Sequence, residues 1–426
     1  MATGSEPFPP LPGTTTTTEG ATTTRRRTRK ASILGDDLKV GDTGSPSLAT
    51  SIAHIQGGAH SKEPPSPPST KRTSKRRKAR TFLRRVKHTC VKHTWVLPLF
   101  LLSCFLLGYA INPTSSNPLS HFLFLSYRLP LSETPGATHV QYGKGLWDIA
   151  FVTFYTVVLS FTREFIMQEV LRPLSRWVGL KSRGKQARYM EQMYTALYFG
   201  IMGPCGMWVM SRTPIWYFDV VGMYEGYPHK THDGAFKFYY LFQAAYWAQQ
   251  AIVLLLGMEK PRKDFKELVG HHIVSLALIG LSYRFHFTYM GLAVYITHDI
   301  SDFFLATSKS LNYVDHPITG PYYFLFMCSW IYLRHFLNLK ILVSLFNEFK
   351  TVGPYVMDWE GGSYKCDLAF WITGGLLGSL QALNLFWLFF IVRIAYRFVR
   401  DREASDDRSE DEGSGDEGEQ QNGKKN

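Results

Sequence analysis

From residue 95 onward the apolar residues gather into eight stretches close to the length a helix needs to cross a bilayer, roughly 20 residues for a hydrocarbon core of about 30 Å. They cover 95–111, 146–167, 190–210, 235–258, 271–290, 291–311, 321–346 and 370–399. In lipid every backbone polar group must be satisfied internally, so only helices or closed barrels span. These runs are long and continuously apolar rather than alternating, which predicts an all-α polytopic membrane protein of about eight transmembrane helices. The overall 45% hydrophobic content of the 426 residues, typical of a soluble chain, hides this clumping.

Charge is as uneven as hydropathy. Residues 1–94 carry 18 Lys and Arg against 6 Asp and Glu, whereas 401–426 carry 4 against 10. The first 94 residues are rich in Thr, Ser, Pro and Gly, a composition that predicts a disordered basic arm, and the last 27 predict an acidic disordered tail. A basic arm beside the first apolar run suits an anionic lipid leaflet, and no nucleic-acid docking motif accompanies it. Met1 to Gly20 lacks the apolar core of a cleavable signal, so insertion is expected to use an internal span. The five cysteines, at 90, 104, 205, 328 and 366, have neither zinc-type nor disulfide-framework spacing.

Short cytosolic loops collect Lys and Arg. The loop with Arg172, Arg176, Lys181, Arg183, Lys185 and Arg188, and the one with Lys260, Arg262, Lys263 and Lys266, therefore face the cytosol together with both termini. Segments 112–145, 211–234 and 351–369 face the opposite side, with 122–129 and 217–224 as candidate interfacial stretches. His229 and His232, in a short loop on that side, are expected to be solvated and to hold no metal.

Ionisable groups inside spans are costly and mark function. The densest cluster lies within 264–313. If the chain reverses near Phe285 to Thr288, His271 and His272 stand at the same depth as Asp299 and Asp302, two aspartates three residues apart on one helix. Imidazole beside carboxylate, partly desolvated, is chemistry for a base or nucleophile working near neutral pH; the plainer reading is a hydrogen-bond network tying two helices together. Arg334 is expected to line the interior or pair with an acid. Gln243, Gln249, Gln250, Gln381 and Asn384 are expected to bond helix to helix.

The segment with KPRKDF, the HHIV pair and HDISDFFLATSK, about 260–313, closely resembles the Lag motif of ceramide synthases, acyltransferases of the TLC-domain superfamily; FYYLFQAAYWAQQ upstream resembles fungal members. The resemblance covers about 189–399, after two N-terminal spans and a basic loop in 95–188. It implies six helices forming a TLC-type bundle or barrel around a lipid cavity. It further implies transfer of a fatty acyl group from acyl-CoA, a co-substrate, to the amine of a sphingoid base such as dihydrosphingosine or phytosphingosine, in the endoplasmic reticulum membrane with no cofactor. The family's histidines fall on His271 and His272 and its aspartates on Asp299 and Asp302, with His298 in support. Ser275 stands where the family carries threonine. Lys260, Arg262 and Lys263 are candidate contacts for the CoA phosphates, or simply a basic flank. Ser409 and Ser414, each three residues before a glutamate, are candidate acidophilic phosphorylation sites. A small single-span regulatory subunit and pairing with a second copy or a paralogue are also implied. A non-catalytic TLC-fold lipid-binding or translocation protein is the rival reading.

Overall fold

A computed structural model of the chain describes residues 75–130, 139–259 and 263–401. Helix α1 (Lys75–Lys92) already lies within the stretch whose composition predicts disorder. Its apolar Phe82 and Val86 are four residues apart among basic neighbours, the pattern of a helix that rests on an interface, and both are exposed. The chain then bends by 105° into α2 (Val96–Ile111).

A one-turn helix, α3 (Ser120–Leu123), precedes α4, which runs from Trp147 to Trp177 through a π-helical stretch at Ile166–Leu171. Six further helices follow: α5 (Arg183–Met210), α6 (Gly234–Leu255), α7 (Phe265–Arg284), α8 (Thr288–Tyr313), α9 and α10 (Asp367–Asp401). Helix α9 consists of Thr319–Trp330, a π-helical stretch Ile331–Leu337, and Asn338–Asn347. The eight long helices α2 and α4 to α10 thus coincide with the eight apolar runs. Two of the described helices, Trp147–Trp177 and Asp367–Arg400, are long and apolar enough by themselves to cross a membrane, three if the bent pair at 84–111 is one span. Polar residues set into the shorter helices, such as the two histidines of α7, lower their hydropathy.

Helix α5 contacts α6, α6 contacts α7, α7 contacts α10, α10 contacts α9, α9 contacts α8, and α8 returns to α5 in the most extensive pairing of all. That pairing is close because α5 presents Gly200, Gly203 and Gly206: a Cβ at Gly206 would lie 2.4 Å from the Tyr239 hydroxyl and 2.9 Å from Ile296. Helices α2 and α4 pack outside, α4 against α6. Many large apolar side chains face outward, among them Phe100, Ile201, Phe324, Trp371 and Phe389, as lipid-facing surfaces require.

At the end of the bundle where α7 turns into α8, antiparallel strands β1 (Arg128–Leu129), β2 (Gln141–Tyr142) and β3 (His232–Asp233) form a small sheet, and β4 (Met357–Asp358) pairs with β5 (Ser363–Tyr364). A buried Lys237–Asp148 ion pair of 2.6 Å ties α6 to α4 beneath this cap. Lys237 also donates to the carbonyls of Ser126 and Gly143, and the Tyr283 hydroxyl donates to Asp148. His229 and His232 are buried here rather than solvated: His229 nitrogens face the carbonyls of His286 and Glu225, and His232 bonds the Thr288 hydroxyl. The 217–224 stretch is likewise packed inward at Phe218, Met223 and Tyr224. The positively twisted residue His286 (φ 67°) makes the reversal at 285–287 that the sequence predicts.

Candidate active site

The second turn of α7 carries His271, the one buried residue of that helix. Trp387 of α10, Trp247 of α6, His272 and His298 surround its ring, with centroids 5.2, 5.8, 5.9 and 6.4 Å away. Its Nδ1 is buried without a hydrogen-bond partner. The other two imidazoles are fixed. His272 Nδ1 lies 2.9 Å from the Leu268 carbonyl, so it carries the proton and leaves Nε2 with a lone pair. His298 Nδ1 donates to the Val294 carbonyl at 2.8 Å, and its Nε2 lies 3.4 Å from the Asn384 amide.

Two cavities meet at His271. An apolar cavity of about 1190 Å³ of empty space runs toward the capped end, past Ser275, Leu278 and Val294, to Met357, Trp359 and Tyr364 at its floor. Along α10 its wall extends from Leu368 to Leu380, twelve residues or about 18 Å of helix. A more polar cavity of about 860 Å³ opens at the other end, bounded by Asp264, Leu268, His272, Asp302, Lys309 and Arg334. His271 and Trp247 are the two residues that line both.

The two aspartates do not share this space. Asp302 pairs with Arg334 at 2.5 Å and faces the polar cavity. Arg334 sits in the π-helical stretch of α9, stacked 4.1 Å from the Trp330 ring, and also donates to Ser301 Oγ, Asn384 Oδ1 and the His298 carbonyl. Asp299 faces the other flank of α8. Its Oδ2 accepts from the Tyr239 hydroxyl at 3.0 Å and from the Gln243 amide, whose Oε1 in turn accepts from Tyr198. Residues three apart differ by about 60° around a helix, enough to send the two carboxylates to different neighbours. Neither aspartate hydrogen-bonds His271 or His272 among the described residues; Asp302 lines the polar cavity together with both histidines, whereas Asp299 stands outside it, so three of the four groups converge there.

Ser275 lines the apolar cavity, as a hydroxyl one turn from His271 would. Lys263 is exposed and precedes the buried Asp264, which lines the polar cavity and accepts from Trp387 Nε1 at 3.2 Å. Lys260, Arg262, Ser409 and Ser414 lie outside the described residues. Trp247, Trp387 and Asp264 were not legible as site residues, because aromatic side chains are common throughout the chain and Asp264 reads as a loop residue before a helix. Gln243, Gln381 and Asn384 bond helix to helix, Gln381 accepting from Asn338 at 2.8 Å and lying 2.8 Å from His335, whereas the buried Oε1 of Gln249 has no hydrogen-bond partner among the described residues.

The TLC-domain family model matches residues 188–393, the stretch from α5 into α10 that encloses both cavities. The sphingosine N-acyltransferase-like protein FUM17 of Gibberella moniliformis is 55% identical over 305 residues, 71% of this chain and 78% of that protein. Sphingosine N-acyltransferase lac1 of Schizosaccharomyces pombe is 46% identical over 318 residues, 75% and 81% of the two chains. Ceramide synthase LAG1 of Saccharomyces cerevisiae is 46% identical over 299 residues, 70% and 71%. With this extent of identity laid over the helices that hold His271 between two cavities, the chain belongs to the sphingosine N-acyltransferase family of TLC-domain proteins, the ceramide synthases.

Proposed function

We propose that the chain transfers a fatty acyl group from acyl-CoA to the amine of a sphingoid base, forming ceramide, within a barrel of the six helices α5 to α10. The observation that carries this reading is the position of His271, with a free imidazole nitrogen, at the junction of an apolar cavity and a polar one. An acyl chain lies in the first, which places its thioester carbonyl beside the imidazole, and CoA extends through the second. A thioester is already activated, so the reaction needs no cofactor.

The transfer proceeds in two steps. A His271 nitrogen attacks the thioester carbonyl, the tetrahedral intermediate collapses with loss of CoA thiolate, and an N-acylimidazolium remains, the other ring nitrogen keeping its proton. The unprotonated amine of the sphingoid base then attacks that carbonyl; the amide forms, the C–N bond to His271 breaks, and the amine proton passes to a base. His272, whose Nε2 lone pair faces the polar cavity while Nδ1–H is held by Leu268, is that base. Without a carboxylate on either imidazole, a one-step reaction driven by a His–Asp base has no support in this geometry. The Asp302–Arg334 pair shapes the polar cavity, and Asp299 is a positioning residue that holds α8 against α5 and α6. By the charge of its loops, the polar cavity opens to the cytosol, with the protein in the endoplasmic reticulum membrane, and Lys263 stands where CoA phosphates enter.

The test is product formation by purified protein given dihydrosphingosine and an acyl-CoA series, wild type beside His271→Ala. Ceramide from the wild type and a loss of at least about 10²-fold in the variant is the expected result. Equal product from both, or none from well-folded wild type, contradicts the reading.

A further inference from the structure

Two long lipids have to meet at His271, and the apolar cavity beyond it accommodates one of them. The acyl chain, which must place its carbonyl against the imidazole, takes that cavity. The sphingoid tail therefore needs a separate path that reaches the polar cavity from its other side.

Such a path exists. A groove of about 600 Å³ of empty space runs between α8, α9 and α10 near the 314–318 loop. Its walls are mostly apolar, with Tyr323 and Phe326 from α9 and Ile394 and Phe398 from α10. It adjoins the polar cavity, since Leu305, Lys309 and Ile391 line both. Defined contacts between α9 and α10 fix the wall. Tyr323 donates its hydroxyl to the Ile391 carbonyl at 2.8 Å, while Phe326, Trp330 and Ile391 form a small core of their own, separate from the main one. Gly320 allows the closest approach at the outer end: a Cβ there would lie 2.9 Å from the Phe398 ring. Polar groups are placed only toward the loop and the cavity, at Ser308, Lys309, Asn312 and Thr319. That division of an apolar trough with polar groups along one border matches an amphiphile with a single hydrocarbon tail and a small hydroxylated head.

We propose that this groove holds the tail of the sphingoid base, whose amino-alcohol head passes Lys309 into the polar cavity, so that the two lipid chains lie on opposite sides of His271. This rests on the reaction proposed above. The Lys309 ammonium can donate to the head-group hydroxyls, and the carboxylates of Asp264 and Asp302, which line the polar cavity with His271, draw the amine toward it. The arrangement lets the base arrive while the acyl group stays on the enzyme, with neither chain having to leave first.

Groove-plugging variants Ser308→Phe and Ile394→Trp test this in the full-length purified enzyme. The expected result is a rise of about tenfold or more in KM for dihydrosphingosine, as burial of its outer methylenes is lost, with KM for acyl-CoA unchanged. A sphingoid base with an eight-carbon tail, which buries fewer methylenes in the groove, should lose less in the variants than dihydrosphingosine does. An unchanged KM for dihydrosphingosine overturns the proposal, and a raised KM for acyl-CoA instead assigns the groove to the acyl chain and overturns it too. If the plugged variants fail to fold, a diazirine-bearing sphingosine photolysed on wild-type enzyme decides the matter. Labelling on α8, α9 and α10 around Ser308, Tyr323 and Ile394 is expected, and labelling confined to the walls of the apolar cavity contradicts it. Absence of any ceramide from the wild type would instead defeat the proposed reaction itself.

Discussion

An arginine as deeply buried as Arg334 persists because its donors are spoken for: Asp302, Ser301, Asn384 and the His298 carbonyl each take one, and the Trp330 face covers the guanidinium plane. Breaking one half of a buried ion pair leaves an uncompensated charge, which costs about 3–5 kcal/mol, whereas replacing both halves with apolar groups is often close to neutral. Arg334→Met should therefore lower the thermal stability of the purified protein markedly, and adding Asp302→Leu should restore much of it without restoring ceramide synthesis. If the double variant melts no higher than the single one, the pair is not the reason for the loss. At this scale the sequence marks the polar groups set into the spans and is silent about their partners. His271, His272, Asp299, Asp302 and Arg334 stand out because polar groups interrupt apolar runs. That Asp302 joins Arg334 while Asp299 turns to Tyr239 and Gln243 follows from the order of helices around α8, which periodicity does not encode.

The helices themselves were legible because bilayer thickness fixes their length, and the reversal at 285–287 followed from two apolar runs with no room for a loop between them. The capped end was not legible, since its packing depends on contacts among segments far apart in the chain. His229 is the clearest case. Burial, with Lys144 and Lys365 adding to it, pushes His229 down to about 4 despite the two carbonyls beside it. Its ordinary value is near 6.5, so below that pH the unfolded chain binds the proton more readily than the folded one. The cap's contribution to stability is thus full above pH 6.5 and lost as pH falls toward 4. The melting temperature should drop over that interval, and the drop should be shallower in His229→Gln, where no proton can be taken up; parallel curves for the two proteins would remove His229 as the cause. Burial likewise pushes Lys144, on the same face, down to about 7.

For the molecule as a whole, the account is one of two cavities joined at a single imidazole, with the apolar one closed by the 357–364 hairpin. Cavity length then sets acyl length. Leu376 lies on the α10 wall, four residues or about 6 Å toward the cap from Leu380. Leu376→Trp should shift product toward shorter acyl chains, with a loss of about fourfold for each methylene no longer accommodated, at about 0.8 kcal/mol apiece. Product analysis with an acyl-CoA series reads this directly, and an unchanged chain-length profile would place the acyl group elsewhere. Whether His271 receives the acyl group before the base arrives is read by incubating the enzyme with acyl-CoA alone and examining its peptides by mass spectrometry. Release of CoA and an acyl mass on the peptide containing His271 are expected, the acyl group being discharged to ceramide when dihydrosphingosine is added. An enzyme that turns over while His271 never carries the acyl group would contradict the two-step transfer.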